Sequence, residues 1–424
     1  MVSSMNIHSR RVIVELKLHG MYQVMRGSKR MSDDDWRQRL SRIEIPISVS
    51  SNQFVKSCLD KLIKTGRLSK NDGINLMLEP SLVSVTSLAN MVKLARHSDN
   101  VFYNRNLHIN TTNICTLACR FCAFRKGPKH DDAYEMMPNE YIERISPVAS
   151  EIDEVHSVGG LHPDWKVEHY AKIYSTIKNE FPHIHIKSLT AIEIIHISKR
   201  SGISIAKTLE ILNESGLDSI PGGGAEILVD SVRDRICRGK ESSNEYLEVH
   251  ATAHKLGIPT NCTMLFGTVE STEERIQHLI RLRNQQDTTS GFQCFVPYPY
   301  LPDFSRLPEA QLATSSEVVR MIAVSRLMLD NIPHIKAYRM NLGDHLSAIC
   351  LNAGADDIDG TVGHEEIMHD AGSTTRLDTS EAELVRLIMS SNSTPIRRNS
   401  TYDHFIEVES DFNGLRINLP VNSW

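Results

Sequence analysis

Cys115, Cys119 and Cys122 stand in the stretch NICTLACRFCAFRKG with the spacing C-x3-C-x2-C. Three thiolates in one short loop can converge on a metal centre. Structural zinc takes four protein ligands in a closed tetrahedron, usually two C-x2-C pairs or a Cys/His set. No second pair occurs, and His108 and His130 flank the loop without completing a close-spaced set. A 4Fe–4S cluster needs one ligand per iron, so three cysteines leave one iron without a protein ligand. Such an iron is open to a substrate. The odd number of thiols argues against disulfides, which leaves zinc and accidental clustering as the alternatives. The other cysteines, Cys58, Cys237, Cys262, Cys294 and Cys350, sit singly in apolar or mixed contexts and read as small buried hydrophobes.

A cysteine loop needs elements to hold it. From Leu107 onward, short β-branched runs alternate with amphipathic stretches: LHINTT, IDEVHSVG, HIHIKSLT, LDSIPG, PTNCTMLFG, GFQCFVPY, HIKAYRMN and ADDIDG are the candidate strands. Strand then helix, repeated at intervals of about 30 residues, predicts a parallel sheet. About eight such units predict a closed α/β barrel of the (β/α)8 TIM type over residues 101–370, in preference to an open doubly wound sheet. Active sites of such barrels form at the C-terminal ends of the strands. That mouth would gather the cysteine loop, VGGLHPDW, TAIE, PGGGAE and LFGTVES. Helical spacing in FVKSCLDKLIKTG and SLVSVTSLANMVKLARH, with a turn at Gly66, predicts a helical lead-in over residues 31–100. Residues 371–424 carry the helix EAELVRLIMSS and then the turn-rich SNSTPIRRNSTYDHF, a segment expected to wrap the barrel or close the site. Residues 1–30 read as an extension that packs poorly.

Composition limits the partner. The 424 residues carry 47 Lys plus Arg against 52 Asp plus Glu, a formal charge of −5, with no long basic run. A nucleic-acid surface therefore lacks its electrostatic footprint. Lys17 and Glu15 interrupt the apolar run VIVELKL, so no signal-peptide core forms, and no stretch of about 18 uncharged apolar residues could span a membrane. The expectation is a cytoplasmic enzyme acting on a small molecule.

Several polar residues have a bland reading. His250 and His254 stand four apart on a helix, but without the glutamate of H-E-x-x-H they read as packing residues. His183 and His185 flank a strand and read as structural. His162, soon after a double glycine, is placed to face a cavity, to donate to a carboxylate or to cap Asp164. Gly222 to Gly224 leave backbone open to a ligand or simply make a turn.

With Phe121 just before its last cysteine, at the end of a barrel's first strand, C-x3-C-x2-C resembles the signature of radical S-adenosylmethionine (SAM) enzymes. The resemblance implies one 4Fe–4S cluster on Cys115, Cys119 and Cys122, with SAM chelating the open iron and yielding a 5'-deoxyadenosyl radical. It places Phe121 near the adenine and Gly159 and Gly160 at the SAM amino group. Glu193 would lie at the SAM ribose, against the alternative of a helix-capping carboxylate. The strings HINTTNICTLACRFCAF, VHSVGGLHPDW, GLDSIPGGGAEIL, HKLGIPTNCTMLFG, RLRNQQDTTSGFQCFVP, AVSRLMLDNIPHIKAY and GADDIDGT, over about residues 68–402, are similar to aminofutalosine synthases of the futalosine route to menaquinone. Their implied reaction consumes SAM as co-substrate with 3-[(1-carboxyvinyl)oxy]benzoate, and an electron donor such as flavodoxin or ferredoxin reduces the cluster. Val158 replaces the glutamine found in relatives such as dehypoxanthine futalosine cyclase, which favours the synthase. Departures from the family pattern at Gly363, His364, Arg339 and Asn341 lie where a substrate end would be. A dicarboxylate needs donors, for which Arg233, Arg235 and Arg339 are candidates. The rival from another class is a zinc-scaffold or electron-transfer protein without SAM chemistry.

Overall fold

The computed structural model describes residues 22–25 and 33–408. Its strands are β1 (Tyr22–Met25), β2 (Asn100–Tyr103), β3 (Asn106–His108), β4 (Glu154–Ser157), β5 (His185–Ser188), β6 (Thr260–Phe266), β7 (Phe292–Pro299), β8 (His334–Ala337), β9 (Asp357–Ile358), β10 (Thr394–Arg398) and β11 (Phe405–Val408). β3, β4 and β5 run parallel, as do β6 through β9. Two single bridges join these runs, Lys187 to Ser219 and Ile220 to Thr260, so LDSIPG supplies a two-residue stave in place of a full strand. After β9 the chain returns to β3, where Val362 O accepts from His108 N at 2.8 Å and Thr361 Oγ1 accepts from Asn106 N at 3.1 Å. Hydrogen bonds thus run round a ring of eight staves, the expected α/β barrel.

Local chemistry starts the outer helices. Thr190/Glu193, Ser242/Glu245, Ser271/Glu274, Thr314/Glu317 and Ser380/Glu383 each form a reciprocal capping box at a helix N-terminus. Each box satisfies two otherwise unpaired backbone donors, so S/T-x-x-E marks where a crossover turns helical. The strand expected through HIKAYRMN stops at Ala337, and a helix begins at Arg339.

The lead-in is helical over Asp33–Leu40, Ile47–Ser50, Gln53–Thr65, Lys70–Leu78 and Leu82–His97, and Gly66 ends the third of these with φ 75°. The helix Leu82–His97 packs on Ser315–Met328. At the base of the barrel, buried Asp356 receives Arg326, His334 Nδ1 at 2.5 Å and Ile335 N at 2.9 Å, while His97 Nε2 lies 3.4 Å away. Burial would raise the Asp356 carboxyl, but His97, Arg326 and His334 together hold it well below the usual carboxylate range.

The turn-rich tail is more ordered than its composition implied. β10 pairs parallel to β2, and β11 pairs antiparallel to β10 and to β1. Tyr22–Met25 therefore has a partner, and the rest of the expected extension lies outside the described residues. Among the described residues no helix is long and apolar enough to cross a membrane.

Candidate active site at the cysteine loop

The loop after β3 is pinned by other segments. Cys115 N donates to Lys126 O at 3.2 Å, Thr116 N to Leu161 O at 3.1 Å and Arg120 N to Ile236 O at 2.8 Å. Arg120 also forms a bidentate pair with Glu309. These contacts fix a segment without repeating secondary structure, and Cys115, Cys119 and Cys122 are its only half-buried thiols; the other five cysteines are buried. All three, with Phe121, line a cavity of about 300 Å³ at the barrel mouth. Burial pushes the Cys119 and Cys122 thiols up, so a bound metal centre is what would hold them as thiolates.

The donor set fits a cluster better than a single ion. Among the described residues, the only His/Cys/Asp/Glu trio whose ligand atoms all lie within 4.8 Å of one another is His97, His334 and Asp356. Arg326 already occupies that trio's carboxylate, which makes it an ionic knot. The three cysteine sulfurs are spread more widely, as the corners of a multi-iron centre require.

Gly159 and Gly160 line the same cavity. A Cβ on Gly160 would sit 2.2 Å from Ile114 O and 3.1 Å from Cys115 Cβ, so only glycine lets this edge lie against the cysteine loop. Gly160 N donates to Thr112 O at 2.7 Å. Gly222 has the same need, since its Cβ would meet Asn261 O at 2.1 Å; Gly223 and Gly224 reach the cavity wall. Glu193 is buried behind the wall. Its carboxylate accepts from Gly159 N at 3.0 Å, Thr190 N at 2.7 Å and Thr190 Oγ1 at 2.7 Å. The carboxylate is therefore a helix cap that also holds the double-glycine turn, and it is Thr190 and Ile192 that line the cavity beside it.

Burial raises the Glu193 carboxyl to about 7 against the hydrogen bonds from Thr190 and Gly159. A carboxyl whose folded pKa is raised contributes stability below its unfolded pKa and loses it as pH climbs through the folded value. Relative to Glu193→Gln, the wild type will therefore lose stability between about pH 5 and pH 8, by up to about 3 kcal/mol. Chemical unfolding across that range checks this; a difference that does not change with pH rejects it.

Other expectations fall differently. Arg233 is buried and spends its guanidinium on the carbonyls of Ala225 and Glu241, Arg235 donates to Val269 O, and Arg339 pairs with Asp344; none lines the cavity. Of the departures, Asn341 lines it and donates to Pro299 O, whereas His364 pairs with Glu366. His162 does not reach it: the ring lies 2.8 Å from Glu135, accepts from Asp164 N and stacks on Trp165. His250 and His254 both bond Thr260 Oγ1 outside the barrel, as packing residues do, and His183 and His185 bond Ala149 O and Ser219 Oγ.

The cations that do reach the cavity are Lys187, Lys336, Lys240, Arg125 and Arg398. Lys187 meets Glu154 at 2.6 Å, Lys336 meets Asp357 at 2.5 Å, and Arg398 grips Asp357 with two bonds. Lys240 pairs with Glu226 and lies 5.8 Å over the Phe121 ring. The signal for Lys187 and Lys336 was a charged residue at a strand position facing the barrel axis, where branched apolar side chains normally fill the core.

The geometry agrees with comparison to known proteins. Residues 109–282 match the Radical SAM superfamily, and residues 289–410 match the CofH/MqnC C-terminal region. Aminodeoxyfutalosine synthase of Thermus thermophilus is 38% identical over 351 residues, covering 81% of this chain and 94% of the relative. Cyclic dehypoxanthine futalosine synthase of Streptomyces coelicolor is 34% identical, covering 82% of this chain and 88% of the relative. Among solved structures, methylornithine synthase superposes with a TM-score of 0.66 at 18% identity, over 79% of this chain and 96% of that one. An open-ended cysteine triad at a barrel mouth and these matches lead to one conclusion: the chain belongs to the radical SAM superfamily, whose enzymes use a 4Fe–4S cluster and SAM, within the family of aminodeoxyfutalosine synthase.

Proposed function

We propose that the protein is an aminodeoxyfutalosine synthase, converting SAM, 3-[(1-carboxyvinyl)oxy]benzoate and water to 6-amino-6-deoxyfutalosine, methionine and bicarbonate. The carrying observation is a single cavity that gathers the three thiols, the glycine edge and five cations, of which Lys187, Lys336 and Arg398 lie on strands rather than at the cysteine loop. Cations set apart from the thiols suit a dianionic substrate placed beneath SAM. Cys115, Cys119 and Cys122 would hold the cluster, which with SAM supplies a 5'-deoxyadenosyl radical. Gly159 and Gly160 offer backbone to the SAM amino group, and Phe121 a face to its adenine. Tyr298, Tyr300 and Tyr338 add aromatic wall for an aryl ring. The barrel keeps bulk water from the alkene and holds the alkene in place. Val158, where related cyclases carry glutamine, lines the cavity, so the residue that separates the two readings faces the ligand.

An external one-electron donor such as flavodoxin or ferredoxin belongs to this reading. A second hollow reaches Cys122 from the outside and is lined by Arg125, Lys126, Arg306 and His130, with Phe304 exposed at its rim. Its basic character fits an acidic carrier.

Anaerobic incubation of the reconstituted protein with SAM, dithionite and the enolpyruvyl benzoate will yield aminodeoxyfutalosine by mass analysis. Free 5'-deoxyadenosine with no adenosyl group in the product would instead indicate hydrogen abstraction and sink the synthase reading.

A further inference from the structure

On β3 and β4 the parallel register sets His108 directly beside His156, and β5 continues the row with Lys187. Paired residues of a parallel ladder point to the same face, and all three line the cavity. The two imidazoles lie 4.3 Å apart by ring centroid. His108 is only 6% exposed, yet neither ring has a hydrogen-bond partner among the described residues. Their nitrogens are not sealed in the wall but open to the cavity, where a ligand could meet them. Burial holds both histidines below their ordinary range, His156 at about 4, so both are neutral near pH 7. A neutral imidazole has one N–H donor and one acceptor, and with no nitrogen committed either tautomer is available. Two such donors side by side match the two oxygens of one carboxylate.

Three cations stand on the same wall. Lys187, Lys336 and Arg398 pair with the carboxylates of Glu154 and Asp357, and Asp359 also lines the cavity, its carboxyl raised by burial. Each cation already has a partner, which leaves the two imidazoles as neighbouring donors that no protein group has claimed.

Resting on the proposed reaction, we infer that His108 and His156 form a two-donor seat for the benzoate carboxylate of the substrate. The ring carboxylate is assigned because the vinyl end must lie toward the cysteine-lined mouth, and the seat lies deeper along the strands. Both residues bind and orient; neither is assigned a proton transfer.

Steady-state kinetics of the holoenzyme test this, with iron content as the folding control. His108→Leu and His156→Leu will each raise KM for the dicarboxylate about tenfold or more, the worth of one hydrogen bond to a charged group. His108→Gln and His156→Gln, which keep an N–H, will raise it less. With the benzoate group blocked as its methyl ester, wild type and variants will differ far less. No rise with the acid, or equal rises with acid and ester, overturns the seat. If the wild type forms no aminodeoxyfutalosine, the reaction assignment falls separately. The seat is then judged on benzoate itself by ligand-observed magnetic resonance: binding lost in the Leu variants supports it, and binding unchanged overturns it.

Discussion

Replacing Cys119 with alanine will abolish turnover and the reduced-cluster paramagnetic signal. Two cysteines of a three-ligand set cannot hold a cluster that already lacks a fourth protein ligand, so the loss will exceed the roughly 10–100-fold that outer-shell changes at metal sites cost. The fold supplies an internal control. Cys237 lies close enough to Cys119 to help raise that thiol, and its neighbour Ile236 accepts a bond from the cysteine loop. Yet Cys237 is buried and does not line the cavity. Cys237→Ala will keep full iron content and signal. Iron lost in Cys237→Ala, or retained activity in Cys119→Ala, would show the wrong thiols named as ligands.

The second large effect lies at the opposite end of the barrel. Asp356→Ala will destabilise the protein by about 3–5 kcal/mol, because Arg326 would remain fully buried without its counter-charge. Total stabilities are only about 5–15 kcal/mol, so this change alone brings the fold near its limit. Arg326 also donates to Gly354 O and Pro333 O, which keeps its head group from swinging out to water. A paired replacement, Asp356→Leu with Arg326→Met, will recover most of the loss, since it leaves no lone charge inside. Denaturant unfolding of the three proteins measures both effects. A loss below about 1 kcal/mol for Asp356→Ala would mean that water reaches the knot and screens it.

What could be read from the chain depended on how local its cause was. The cysteine spacing is set within eight residues, and each S/T-x-x-E box within four, so loop and helix starts were legible. The strands β4 and β5 were legible as well, within IDEVHSVG and HIHIKSLT. LDSIPG was overread because its apolar pattern is that of a strand while only Ser219 and Ile220 find partners. β10 was missed for the converse reason: TPIRR has a proline and two arginines, and only its pairing with β2 makes it a strand. Glu193 had two roles open to it, and the bond from Gly159 N, thirty-four positions away, is information no local pattern carries. The arginine candidates failed likewise. A dicarboxylate's need for donors made Arg233 a candidate, but the carbonyls of Ala225 and Glu241 claim its donors before any ligand could.

Arg398 sits on β10, a strand made late in the chain, yet it lines the cavity and clamps Asp357 beside Lys336. β2 waits between β9 and β10 for partners synthesised much later. A ribosome-bound chain can therefore present its cysteine loop long before the chamber beneath that loop has a floor. Such distant pairings make closure slow relative to helix formation. β10, made after every barrel stave, is the piece that adds the last cation to the chamber wall.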